Sequence, residues 1–316
     1  MSIPDSQIEQ AVAGNQRAIA RLATRIENDP ANSDEIVSAL YPFSGRAHVI
    51  GVTGPPGAGK SSLLAGLAKV VSLRQKRIAI VAVDPSSPKS GGATLGDRIR
   101  MTESALDPNV FVRSLASRGR SDGLAPAAAD LALLFDAAGF DYVAIETVGS
   151  GQDQLEVANL VHTTVLVQIP GAGDSVQSLK AGAMEIADVY VVNKADLPGA
   201  QRVSRDIRTI LGLIPGDEDA WRAPIVLTSS DNEGGFAQLA DAIDSHFEFL
   251  QARNLLEERK RRIARSELKR AVGRKVRLEN GLGTDSLIDQ LVSRATTPDR
   301  AADCFLAELL QEDPDR

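Results

Sequence analysis

The run Gly54-Pro55-Pro56-Gly57-Ala58-Gly59-Lys60-Ser61 has the spacing G-x-x-x-x-G-K-S and directly follows an apolar stretch, AHVIGV. In a strand–loop–helix setting this spacing builds a phosphate cradle. Glycines let backbone N–H groups face the phosphates, and the lysine reaches the β and γ oxygens. The serine hydroxyl serves Mg2+, and the helix N-terminus adds a favourable dipole. Gly54, Gly57, Ala58, Gly59, Lys60, Ser61 and Ser62 are therefore the expected phosphate-contacting residues. Two acidic residues, Asp84 and Glu146, each end a later apolar run, where a carboxylate can hold Mg2+ directly or through water. Glu146-Thr147-Val148-Gly149 reads as a DxxG element with Glu in place of Asp, its Gly149 N–H directed at a γ-phosphate.

The glycine-rich stretch from Ser90 to Arg98 reads as a loop that rearranges with the nucleotide. It supplies Asp97 as a further Mg2+ or water ligand. Arg98 and Arg118 are either charge stabilisers or surface ion-pair partners. Lys60, Asp97 and Glu146 are the expected catalytic residues; Ser61, Asp84, Asp97 and Glu146 are the expected metal ligands. Ser150 stands where many such enzymes carry a water-orienting Gln, so slow intrinsic turnover is expected unless a partner completes the site.

Asn193-Lys194-Ala195-Asp196 reads as the guanine-selecting NKxD. A carboxylate there accepts both the N1–H and the 2-amino group of guanine. Adenine lacks that donor pair and would leave a desolvated carboxylate unpaired, a cost of about 1–3 kcal/mol or more. Thr228-Ser229-Ser230 is placed like the loop that supports the guanine O6, so Ser229 and Ser230 join Asn193, Lys194 and Asp196 as base-contacting candidates.

The elements that must position these residues are legible as well. Seven near-continuous apolar runs, at 47–52, 77–83, 109–113, 142–146, 163–169, 188–193 and 224–228, alternate mostly with helical stretches. That is the pattern of strands buried on both faces of a parallel sheet, and it predicts an α/β, doubly wound, mostly parallel fold. Ligands of such sheets sit at the carboxyl ends of the strands, where all the motifs fall. Residues 5–40 read as two short helices, with Pro30 and Pro42 as punctuation. After about residue 250 the chain is helical again. The expected organisation is an N-terminal helical extension over 1–45, a nucleotide-binding domain over 46–250 and a C-terminal helical segment over 251–316.

Composition excludes several function classes. The net charge of −7 and 4% aromatic content speak against a nucleic-acid surface. The charge is uneven: Arg253 to Arg277 carries eleven Lys/Arg against three Glu, +8, leaving −15 for the rest. Such a run is either a solvated helix face or a docking surface for an acidic partner or subunit. The single cysteine, Cys304, lies in an apolar run and is expected to be buried; no disulfide can form within the chain, which suits a reducing, cytoplasmic location. The N-terminus does not read as a signal peptide, and no apolar run approaches the ~20 residues of a membrane span. His48, His162 and His246 read as ordinary core or surface histidines, and no Cys/His cluster suggests zinc.

GPPGAGKSSLL, AVDPSSPKSGGATLGDRIRM, FDYVAIETVGSGQ and PGAGDSVQSLKAGAMEIADVYVVNKAD together resemble the MeaB/ArgK family, the methylmalonyl-CoA mutase-associated GTPases among the metallochaperone P-loop GTPases. The resemblance runs from about residue 8 to about 250. It implies a GTPase using GTP/GDP and Mg2+ that gates delivery of adenosylcobalamin to an acyl-CoA mutase and protects that enzyme. The cobalamin would be held by the partner, since D-x-H-x-x-G is absent from this chain. It further implies a homodimer through the C-terminal helices and a coupling switch at 169–180. Lys60, Asp84, Asp97 and Glu146 match the family's phosphate and Mg2+ positions. Ser150 replaces the family's usual Val, and Asp153-Gln154 replace a common Ser-Glu. Two other readings are a nickel-insertion GTPase, disfavoured by three scattered His and one Cys, and a transport-linked nucleotidase or kinase for basic amino acids, disfavoured by NKxD.

Overall fold

The computed structural model describes residues 5–28, 30–84, 107–116, 127–148, 153–171, 184–213, 219–229 and 234–275, with Ser286, Asp289, Gln290, Ala295 and Cys304 beyond them. Among the described residues there are seven strands: β1 (His48–Thr53), β2 (Ile78–Asp84), β3 (Val110–Ala116), β4 (Tyr142–Glu146), β5 (Thr163–Gln168), β6 (Val189–Val192) and β7 (Ile225–Leu227). They form one sheet in the order β3-β2-β4-β1-β5-β6-β7, and every pairing is parallel. All seven apolar runs are thus strands, each within a few residues of its expected ends. β1 is central, with β4 and β5 on either side, so the loop after it emerges between the two carboxyl ends that flank it.

Alternation along the strands sends successive side chains to opposite faces. On one face Ile50, Val52, Ile80, Ala144, Val165 and Val191 pack against α4 (Lys60–Leu73) and α8 (Phe236–Ala252). On the other, Ala79, Val81, Val143 and Ile145 meet α1 (Asp5–Val12), α2 (Gln16–Asn28), α3 (Pro30–Leu40), α5 (Ala127–Ala137) and α6 (Asp153–Ala158). Towards β7 that second face is covered by α7 (Ala200–Leu213) over Leu166, Tyr190 and Val192.

The N-terminal region holds three helices rather than two. Asn15 ends one and starts the next: its Oδ1 accepts from the Arg17 and Ala18 N–H groups at 3.0 and 3.1 Å, an N-cap. Pro30 opens α3, at the helix start, where its missing N–H costs nothing. Ile19, Leu22, Ile26, Ile36 and Leu40 are fully buried, so these helices complete the hydrophobic core. The link from them into β1 is held by Asp136 of α5. Its carboxylate accepts from the N–H groups of Gly45, Arg46 and Ala47 at 2.6, 3.0 and 2.9 Å.

At the amino ends of β1 and β5 the chain's three histidines come together, all buried. Thr163 Oγ1 lies 2.7 Å from His48 Nε2 and 2.8 Å from His246 Nδ1. His162 Nδ1 accepts from the Val49 N–H at 3.0 Å, and Phe247 stacks on His48 at 4.2 Å. Beside them, buried Asp188 accepts from the Thr164 N–H at 2.8 Å and faces His246 Nε2 at 3.2 Å. Arg259 of α9 (Leu256–Lys275) grips both Asp188 oxygens at 2.6 and 3.2 Å, and Arg262 donates to the Ala158 carbonyl at 2.7 Å.

The chain forms two compact units, residues 1–264 and 265–316. In the second, Leu268, Val272 and Cys304 are exposed. Cys304 is therefore not the buried residue expected from its apolar surroundings: an amphipathic run turns only some of its positions inward. Among the described residues no helix is long and apolar enough to cross a membrane.

Candidate nucleotide site

The phosphate loop runs from the end of β1 into α4. Gly54 has φ 150°, and a Cβ there would lie 2.3 Å from the Val167 carbonyl, so β5 closes against the loop's first residue. Gly59, at φ 81°, is the residue that turns the loop into the helix. A Cβ there would fall 2.6 Å from Asn193 Nδ2. Lys60 is buried and its ammonium donates to the Gly54 and Pro55 carbonyls at 3.0 and 3.2 Å, curled across the cradle it is expected to serve. Gly57 is exposed, and Ser62 is half-buried on the first turn of α4.

Ser61 and Glu146 meet directly. The Ser61 hydroxyl donates to Glu146 Oε1 at 2.8 Å, with both side chains buried. The register explains the meeting: Val52 of β1 pairs with Glu146 of β4, so the last residue of β4 stands beside the strand that feeds the loop. A hydroxyl and a carboxylate sharing one buried spot are the oxygen donors that a hard divalent cation takes. The ladder extends one residue further, where the Thr147 N–H donates to the Val52 carbonyl at 3.1 Å. There Thr53 Oγ1 and Thr147 Oγ1 lie 2.9 Å apart.

The residues expected to read the base follow β6 and β7. Asn193 is buried and ties three loops together. Its N–H donates to the Gln168 carbonyl at 2.8 Å, its Nδ2 donates to the Ala58 carbonyl at 2.8 Å, and its Oδ1 accepts from the Thr228 hydroxyl at 3.0 Å. Lys194, at φ 54°, lays its ammonium on the Gly57 carbonyl at 3.0 Å. Asp196 is exposed, and its Oδ1 accepts from the Ser229 hydroxyl at 2.5 Å. That hydrogen bond, with a backbone N–H and the nearby Lys194 charge, holds its carboxyl below the usual carboxylate range. Asp196 thus stays an ionised acceptor, as guanine requires.

The structure brings the loop Gly54–Ser62, Glu146, Asn193, Lys194, Asp196 and Ser229 to one edge of the sheet. The Asp84 side chain, Asp97, Gly149 and Ser230 lie outside the described residues, as do Arg98, Arg118 and positions 172–180 of the expected switch. Sequence reading assigned no role to Thr53, Thr147 or the Thr228 hydroxyl.

A parallel sheet with this phosphate loop after its central strand and NKxD on the neighbouring loop is a P-loop GTPase. The comparisons with known proteins agree. The family described as methylmalonyl Co-A mutase-associated GTPase MeaB matches residues 17–280, and the chain belongs to that family. A putative GTPase of Pyrococcus abyssi is 41% identical over 313 residues, 97% of each chain. GTPase ArgK of Escherichia coli is 35% identical over 237 residues, 73% of this chain and 72% of that one. A solved structure described as a LAO/AO transport system kinase superposes with a TM-score of 0.70 at 25% identity, covering 97% of each chain. The protein is accordingly a guanine-nucleotide-binding enzyme that hydrolyses GTP.

Proposed function

We propose that the chain is a GTP-hydrolysing metallochaperone that gates adenosylcobalamin delivery to an acyl-CoA mutase such as methylmalonyl-CoA mutase, and protects that enzyme. The observation that carries the reading is the family match over residues 17–280, the family being described by its association with that mutase. The cobalamin belongs to the partner, and a homodimer through the C-terminal segment is part of the same reading.

Within the site, backbone N–H groups of Gly57–Ser62 and the Lys60 ammonium bind the phosphates. Lys60 leaves the Gly54 and Pro55 carbonyls for the β and γ oxygens when nucleotide enters. The Ser61 and Glu146 oxygens fit Mg2+, with Asp84 and Asp97 as further carboxylates. When bound, the ion neutralises charge developing on the phosphate oxygens. Glu146 contacts the metal, Asp97 is a second ligand of Mg2+ or of water, and Gly149 meets the γ-phosphate. Asp196 selects guanine through paired acceptance, while Ser229 fixes its carboxylate and Ser230 belongs to the loop read as supporting O6. Asn193 and Lys194 hold the base loop to the phosphate loop.

The test is the GTPase and ATPase rate of the purified protein with and without the mutase apoenzyme. Slow GTP-specific turnover that rises on adding the mutase is the expected result. Turnover indifferent to the mutase would remove the partner while leaving the GTPase. Lys60→Ala should abolish hydrolysis, and unchanged turnover in that variant would overturn the phosphate assignment.

A further inference from the structure

The Thr53–Thr147 pair lies just past the last rung of the β1–β4 ladder, outside the set of nucleotide-contacting residues. Thr53 is the residue before Gly54, where the phosphate loop begins. Thr147 is the residue after Glu146 and two before Gly149. Both side chains are fully buried, and their hydroxyl oxygens are 2.9 Å apart. On the same face one step back along the strands are Gly51 and Ile145, with no other polar side chain.

Stability does not call for hydroxyls here. A buried hydroxyl must find a partner or cost free energy, and replacing both members of such a pair with apolar groups of the same shape is close to neutral. Two valines would fill this space as well as two threonines. What the hydroxyl pair adds is direction and register. It crosslinks the last residue of β1 to the residue after Glu146, at a point where one backbone bond, Thr147 N–H to Val52 carbonyl, is the adjoining tie. Glu146 is already joined to the phosphate loop on its other side through Ser61. The two links together hold the Glu146 carboxylate and the start of the following segment at a fixed offset from the phosphates.

We propose that Thr53 and Thr147 are positioning residues for GTP hydrolysis: their hydroxyl pair locks Glu146 and Thr147 in register with the end of β1, from which the phosphate loop starts. The proposal rests on the reading of Glu146 and Gly149 as the residues that meet Mg2+ and the γ-phosphate. It differs from that reading in assigning work to two groups that touch neither nucleotide nor metal.

The experiment compares Thr147→Val, Thr53→Val, the double variant and Thr147→Ser with the wild type. Turnover and KM for GTP are measured with Mg2+, alongside fluorescent-nucleotide affinities for GDP and a non-hydrolysable GTP analogue. Each single Val variant should lose roughly fivefold in kcat, the worth of one neutral hydrogen bond, with KM and GDP affinity within about twofold. The analogue should lose affinity relative to GDP. The double variant should be no slower than the worse single one, because both remove the same bond, and its thermal midpoint should match the wild type within a few degrees. Thr147→Ser, which keeps the hydroxyl, should restore kcat. Unchanged kcat in both single variants, losses that multiply in the double variant, or failure of the serine to rescue would each overturn the latch. Should one valine variant not fold, the other and the double variant carry the same decision. Glu146→Gln separates the two readings: if it turns over like the wild type while Thr147→Val does not, the Mg2+ assignment of Glu146 falls, and what the latch positions is the chain after Glu146 rather than its carboxylate.

Discussion

His162 gives the sharpest handle on how this sheet is held together at the end away from the nucleotide. Burial drives its pKa from the ordinary 6.5 down to about 4, opposed by Asp136 and assisted by Lys260, Arg259 and Arg262. The geometry agrees, since Nδ1 is occupied in accepting the Val49 N–H and a proton there would forfeit that bond. The unfolded chain therefore binds this proton more readily than the folded one. Stability is unaffected above about pH 7, falls as the pH drops from 6.5 towards 4, and levels off below. Moving from 6.5 to about 4 at about 1.36 kcal/mol per pH unit corresponds to about 3 kcal/mol in full, with about 2 kcal/mol already lost at pH 5. His48, also pushed well below its ordinary value by burial, adds loss in the same direction. The perturbation that isolates His162 is His162→Asn, whose amide oxygen can accept from Val49 but does not titrate. Urea unfolding at pH 7.5, 6 and 5 should show the wild type losing stability faster than the variant. The variant should start about 1 kcal/mol less stable at pH 7.5, for the smaller side chain beside Phe247, and end about 1 kcal/mol more stable than the wild type at pH 5, a relative change of about 2 kcal/mol. Parallel pH profiles for the two proteins would refute the argument.

Three further perturbations follow from the geometry. Gly59→Ala places a methyl 2.6 Å from Asn193 Nδ2 in a left-handed backbone, and should weaken GTP binding at least about tenfold in a fluorescence titration while the protein stays folded. Asp196→Asn should shift preference from guanosine towards xanthosine nucleotide in a competition assay, and unaltered GTP selectivity would count against the base reading. Arg259→Ala leaves Asp188 buried with its Thr164 and His246 contacts alone, and should cost about 1–3 kcal/mol in chemical unfolding with GTP affinity unchanged.

The sheet was readable because its strands are buried on both faces, so each appears as an unbroken aliphatic run such as RIAIVAV or TTVLVQI. The phosphate and guanine loops were readable because their chemistry fixes residue type at fixed spacing. Residues 5–40 were only partly readable: the helical periodicity and the break at Pro30 were visible, but Asn15 acting as a cap between two helices does not interrupt the pattern in an obvious way. Contacts between distant segments left no local trace. Nothing near Asp136 announces that it gathers three N–H groups ahead of β1, and nothing near Asp188 announces an arginine some seventy residues on. Thr53 and Thr147 were invisible for the opposite reason, being β-branched residues that fit a strand without comment. Cys304 shows the limit of composition: apolar neighbours in sequence do not make a residue internal.

Asn193 and Lys194 donate to the carbonyls of Ala58 and Gly57. Base recognition and phosphate recognition are thereby one mechanical piece. A lineage drifting towards another nucleotide could not exchange the base loop alone, because the same two side chains brace the phosphate loop from behind. Changes at Asn193 or Lys194 would bring altered affinity for every nucleotide, with compensating changes between Gly57 and Gly59, whereas a change at Asp196, which does not touch the phosphate loop, would alter preference alone. The guanine signature in this chain is on that account as much a scaffold inherited with the phosphate loop as a reader of the base.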